Sequence, residues 1–114
     1  MGLQIVVRQS GDVSILDLQG RVTIGKGNDS LASALKETVD GGCKKVLVNL
    51  GGVNQIDSSG VSTVVRIFVT LSRNAGALKL LGASGRVHDV LEVTRLLASI
   101  PHFQSEAEAL ESFR

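Results

Sequence analysis

Short runs of β-branched and leucine residues alternate along the chain with longer stretches in which apolar residues recur every three or four positions. Leu3 to Gln9 is rich in β-branched residues, and Ser10-Gly11-Asp12 after it is a turn signal. Val13 to Leu18 carries apolar residues on both phases. The two segments are predicted to pair as an antiparallel hairpin at one end of a sheet. Gly20 to Gly27 reads as an irregular, glycine-rich loop, after which Asn28 or Asp29 is placed to cap a helix. Leu31, Ala34, Leu35, Thr38 and Val39 follow at helical spacing, and Gly41-Gly42 can close that helix. Val46 to Leu50 is a short apolar run bounded by lysines and glycines, the pattern of a central strand covered on both faces. Gly51 to Asp57 reads as a loop with a short extended piece.

A second helix is predicted from Ser58 or Ser59. Val61, Val64, Val65, Phe68 and Leu71 form its buried stripe, while Arg66, Thr70 and Arg73 fall outside it. Ile67 and Val69 lie off the stripe, leaving open whether they pack inward or form an apolar partner surface. Ala75-Gly76 ends the helix, and Leu78 to Leu81 is the next strand. Ser84 can cap a third helix with Val87, Val90 and Leu91 inward. Ala98 to Phe103 reads as an edge strand, where Pro101 is tolerated because an edge need not use every donor. Ser105-Glu106-Ala107-Glu108 is a capping box before a last helix carrying Ala109, Leu110 and Phe113. Strands alternating with helices after an initial hairpin predict an α/β fold with a mostly parallel sheet. Functional loops in such sheets sit at the carboxyl ends of the strands, here Gly20 to Asn28 and Gly51 to Gly60.

Composition narrows the function classes. The 114 residues suffice for one domain, 1–114. Twelve Lys and Arg against eleven Asp and Glu leave a net charge of +1, which argues against direct nucleic-acid binding driven by phosphate attraction. Three Phe with no Trp or Tyr provide no platform for stacking bases. The single cysteine, Cys43, excludes an intramolecular disulfide and a multi-cysteine zinc site, so a reducing, cytoplasmic setting is the simplest. No membrane-spanning segment is predicted. Met1 to Arg8 does not read as a secretory signal. His88-Asp89 reads as a helix-surface pair and His102 as an edge-strand residue. No metal and no cofactor are expected.

Two loops carry candidate chemistry. Gly20 to Gly27 nearly fits a phosphate-binding loop, but Gly27 stands where the hydroxyl for magnesium belongs and Asn49 stands where an acidic residue would follow the strand. Ile56-Asp57-Ser58-Ser59-Gly60 fails as a nucleophile elbow, because Ile56 and Asp57 occupy the glycine positions. No catalytic constellation emerges, and the chain is expected not to be an enzyme. Asp57, Ser58 or Ser59 can simply cap the second helix. A sharper alternative is a phosphoacceptor serine, since a helix N-terminus offers unpaired N–H groups and the positive end of the dipole to a phosphate.

Asp57-Ser58-Ser59-Gly60-Val61, after an apolar strand and at the start of a helix, resembles the signature D-S-[ST]-G-[LV] of the STAS domain family. Leu18-Gln19-Gly20-Arg21-Val22 is similar to the family's L-x-G-x-[LIV] segment, and Leu78 to Gly82, Thr94 to Leu97 and Ser105 to Leu110 also look like their counterparts. The likeness spans essentially the whole chain and is nearest to bacterial anti-sigma factor antagonists. It implies a single mixed sheet of four or five strands with about four helices, three of them on one side. It also implies partner switching. The unphosphorylated protein binds an anti-sigma factor that is also a serine kinase and so frees a sigma factor. Phosphorylation of Ser58 releases the protein, and a serine phosphatase resets the cycle. By the same resemblance Asp57, Ser59, Gly60, Val61 and Thr23 belong to the partner-binding site. Thr23 stands where many kinase-regulated members have Asp. That departure supports the alternative of a STAS scaffold or transport-associated subunit without a phosphorylation cycle.

Overall fold

A computed structural model describes residues 2–95 and 99–114. The elements are β1 (Leu3–Ser10), β2 (Val13–Val22), α1 (Lys26–Asp40), β3 (Lys45–Ile56), α2 (Ser58–Arg73), β4 (Ala77–Leu81), α3 (Gly85–Val93), β5 (His102–Phe103) and α4 (Glu106–Ser112). The sheet runs β1-β2-β3-β4-β5, with β1 antiparallel to β2 and every later pair parallel. The mixed α/β sheet and the opening hairpin are as expected. Gly11, at φ 60°, begins the two-residue turn between Ser10 and Val13, a position that favours glycine.

The apolar phases explain the layers. Leu16, Leu18, Val46, Val48, Leu50, Leu78 and Leu80 face one way and meet Leu31 and Leu35 of α1, Val61, Val64 and Leu71 of α2, and Val87 and Leu91 of α3. Val13, Ile15, Leu47 and Leu81 face the other way and are covered by Ala109 of α4 and by Phe113. Among the described residues three helices therefore share one face, and β2 and β3 are buried on both faces, which is why their sequences lack a clean alternation. Ser105 Oγ accepts from Glu108 N–H at 3.3 Å and caps α4, which is the serine half of the expected capping box; the return bond from Ser105 N–H to the Glu108 carboxylate is not formed.

Three boundaries differ from expectation. β3 continues through Gly51-Gly52 to Ile56, where the sequence reads as loop. A side chain at Gly52 would bring its Cβ within 2.7 Å of the Leu18 carbonyl oxygen, so glycine is what lets the strand stay paired past the β2 irregularities. Helix α1 starts at Lys26, with Gly25 (φ 99°) as its cap. Asn28 lies inside the helix, and its side chain accepts from the Thr63 hydroxyl at 2.6 Å. The last strand is only His102–Phe103, and the predicted start at Ala98 lies outside the described residues. Pro101 contributes its carbonyl, which accepts from Leu80 N–H at 2.9 Å.

Candidate functional site at the start of α2

The extended reach of β3 carries the chain beyond the end of β4, and a single residue, Asp57, separates it from α2. Asp57 is the N-cap, in extended conformation (φ −118°, ψ −174°). Its Oδ1 accepts from Ser59 N–H at 2.9 Å and Gly60 N–H at 3.3 Å, and also from the Ser59 hydroxyl. Its Oδ2 accepts from Ile24 N–H at 2.8 Å, in the loop between β2 and α1. One carboxylate thus caps α2 and holds the neighbouring loop. The same donors keep the Asp57 carboxyl below its ordinary range, the Ser59 hydroxyl first and Ile24 N–H second.

Ser58, the first residue of α2, is exposed. Ser59 and Thr23 are half-buried. Gly60 and Val61, expected at the partner surface, are buried instead. A Cβ on Gly60 would sit 2.6 Å from Val22 Cγ1 and 2.8 Å from the Val22 carbonyl oxygen, so the start of α2 lies directly on the end of β2. Val61 belongs to the core beneath it. These two residues place the helix and offer a partner little surface. Ile24 escaped the sequence reading. It is 83% exposed beside the Asp57 clamp, and Arg21 and Lys26 in the same segment are exposed as well. Nothing in a glycine-bounded loop sequence signals that an isoleucine will face solvent.

The phosphate-loop likeness dissolves in three dimensions. Gly20 and Arg21 lie in β2, and Gly27 is buried in the first turn of α1, where a Cβ would approach the Arg21 carbonyl oxygen to 2.4 Å. These glycines answer to close packing. Ile67 packs against the core and Val69 is 37% exposed, which divides the two residues that lay off the helical stripe. His88 and Asp89 are joined by Glu92, whose Oε2 lies 3.7 Å from His88 Nδ1; Asp89 and Glu92 are exposed, while His88 is half-buried with its ring 6.0 Å from that of His102. Cys43 is free and its thiol is directed at the Lys45 carbonyl. No helix among the described residues is long and apolar enough to cross a membrane.

Comparison with known proteins agrees with this geometry. The sequence profile of the STAS domain matches residues 4–109. The chain is 29% identical over 97 residues to BtrV of Bordetella bronchiseptica, whose name proposes an anti-sigma factor antagonist, covering 85% of this chain and 83% of that one. Among solved structures, a proposed anti-sigma factor antagonist from Thermotoga maritima superposes with a TM-score of 0.90 at 24% identity, covering 96% of this chain and 94% of the other. The phosphorylated form of the Bacillus cell fate determinant SpoIIAA superposes with a TM-score of 0.75 at 19% identity, covering 97% and 100%. With its profile match, sheet order and helix layers in accord, the chain belongs to the STAS domain family.

Proposed function

We propose that the protein is a non-enzymatic anti-sigma factor antagonist that works by partner switching, with Ser58 as the phosphoacceptor. The observation that carries this reading is an exposed serine at the first position of α2, beside a carboxylate that already occupies the N–H groups a phosphate would seek. Unphosphorylated, the surface around Ser58 and Ile24 binds an anti-sigma factor that is also a serine kinase. A phosphate adds about −1.5 to −2 charges next to Asp57. It repels that carboxylate and competes with it for Ser59 and Gly60 N–H. Because the other oxygen of Asp57 holds Ile24, the disturbance reaches the β2–α1 loop as well as the serine. The partner then meets both a more negative surface and a loosened loop, and a serine phosphatase restores the first state. The setting is the bacterial cytoplasm, with no nucleic acid in direct contact.

Incubation with the anti-sigma factor kinase and ATP, followed by mass spectrometric mapping, tests the assignment. Phosphate is expected on Ser58 and absent from Ser58→Ala. Ser58→Asp is expected to weaken kinase binding and Ser58→Ala to keep it. Phosphate on another residue, or equal affinity of the two variants, refutes the switch. Thr23, half-buried and uncharged where many members carry Asp, favours a second reading as a STAS scaffold or transport-associated subunit. Under that reading the kinase leaves Ser58 unmodified.

A further inference from the structure

β1 forms one edge of the sheet, and among the described residues no strand pairs with its outer side. Natural edges of this kind are protected by proline, a bulge or an outward charge. β1 has neither a proline nor a bulge, and its one charge is engaged by acidic partners of its own molecule. Its sequence, LQIVVRQS, contains no proline, and its register with β2 is unbroken from Leu3↔Gly20 to Ser10↔Val13. Its one charged side chain, Arg8, is folded back onto its own sheet face. Its guanidinium pairs with Asp17 and also with Glu106 of α4 at 2.7 Å. Val6 and Val7 are left 60% and 49% exposed in the middle of the strand.

We infer that this edge pairs with a second copy of the same chain, β1 against β1, about a two-fold axis at Val6. Directly opposed residues of an antiparallel pair share a face, so a two-fold axis perpendicular to the sheet must pass through a residue pair of one kind. Centring on Val6 sets Val6 opposite the partner's Val6 and Ile5 opposite the partner's Val7. Gln4 then faces the partner's Arg8, and Leu3 faces the partner's Gln9. Apolar residues meet apolar residues along the centre, and the two Arg8 side chains stay apart. Centring on Val7 would set Val6 against the partner's Arg8 and Ile5 against the partner's Gln9, which wastes both apolar contacts. The net charge of +1 adds little repulsion between copies. The result is one continuous sheet through both copies. Strand reversal places the two Ser58 sites at opposite ends of it, so both remain open to a partner.

A seam of one strand pair is small, so the dimer is weak, with a Kd on the order of 10–100 µM. Sedimentation equilibrium of the whole chain over roughly 1–500 µM is expected to show a reversible monomer–dimer equilibrium. Val6→Lys puts two ammonium groups at the axis and is expected to raise Kd at least about tenfold. It should leave the circular dichroism spectrum and the unfolding midpoint nearly unchanged, because Val6 is already exposed. In a Cys43→Ser background, Val6→Cys is expected to form a disulfide-linked dimer under mild oxidation, whereas Gln9→Cys, remote from its own copy, is not. A mass of one chain at every concentration overturns the proposal. So does a dimer indifferent to Val6→Lys, or equal cross-linking at positions 6 and 9.

Discussion

Replacing Asp57 separates the two tasks of one carboxylate. Asp57→Ala removes the acceptor for Ser59 and Gly60 N–H and the acceptor for Ile24 N–H together. Loss of an N-cap costs about 1 kcal/mol, with a range of roughly 0.5–2. Loss of a charge-assisted bond to a backbone N–H costs up to about 1.5–3 kcal/mol when buried, and nearer 1 here, where water can reach Ile24. The expected total is about 2 kcal/mol, or a fall in Tm of roughly 8–10 °C for a chain of this size. Asp57→Asn keeps a good capping oxygen but turns an amide N–H₂ towards the Ile24 donor. It should cost only about 1 kcal/mol, nearly all of it in the loop. Urea unfolding gives the totals, and amide hydrogen exchange gives their location. Ile24 N–H should exchange about fivefold faster in Asp57→Asn, while Gly60 N–H stays protected. The pH dependence has a fixed sign. The folded-state carboxyl lies below its ordinary 3.8, so its contribution is complete above that value and is lost as pH falls through the lower folded value. The gap between wild type and Asp57→Asn should therefore close in acid. Equal stability of the Ala and Asn variants, or unchanged Ile24 exchange in both, refutes the two-sided clamp.

Gly60→Ala gains about 1 kcal/mol of helix propensity but forces a Cβ to 2.8 Å from a backbone oxygen, at an overpacking cost of about 1–3 kcal/mol. A net loss near 1 kcal/mol in urea unfolding is expected, and any gain contradicts the close approach. His102 Nε2 accepts from Ala83 N–H at 3.1 Å, and burial, then the nearby His88, lowers its pKa below 6.5. The unfolded chain binds the proton first, so stability should be complete above about pH 6.5 and decline below it. His102→Gln should flatten that slope. His88→Gln, measured in parallel, removes the neighbouring imidazole and its contact with Glu92 on α3. Lys79 Nζ donates to the Ser112 carbonyl at 2.8 Å and lies 4.6 Å from the Phe113 ring centroid. Lys79→Met should cost about 1 kcal/mol and loosen α4 first, visible as faster amide exchange at Ala109 and Leu110.

The family signature and the element order were legible because they rest on local rules. The turn at Gly11, the N-cap at Asp57 and the cap at Ser105 need only the residues within a few positions. The apolar stripe of α2 was readable at Val61, Val64 and Leu71 for the same reason. The end of β3 and the start of α1 were not. Gly51-Gly52 and Gly25 look like loop residues until the neighbouring β2 backbone is in place to explain why glycine is required.

The sequence by itself determined the alternation of strands and helices, the exposed serine's place at a helix start and the family to which the chain belongs. Each depends on periodicity or on a contiguous motif. Tertiary structure alone decided that Asp57 reaches Ile24, 33 residues away, that Gly60 lies against Val22, and that Arg8 of the edge strand is tied to Asp17 and Glu106. Those facts depend on which backbone atoms the sheet brings within a few ångströms of each other. Pairing between distant segments, set by burial of two apolar layers, leaves no local mark in the chain.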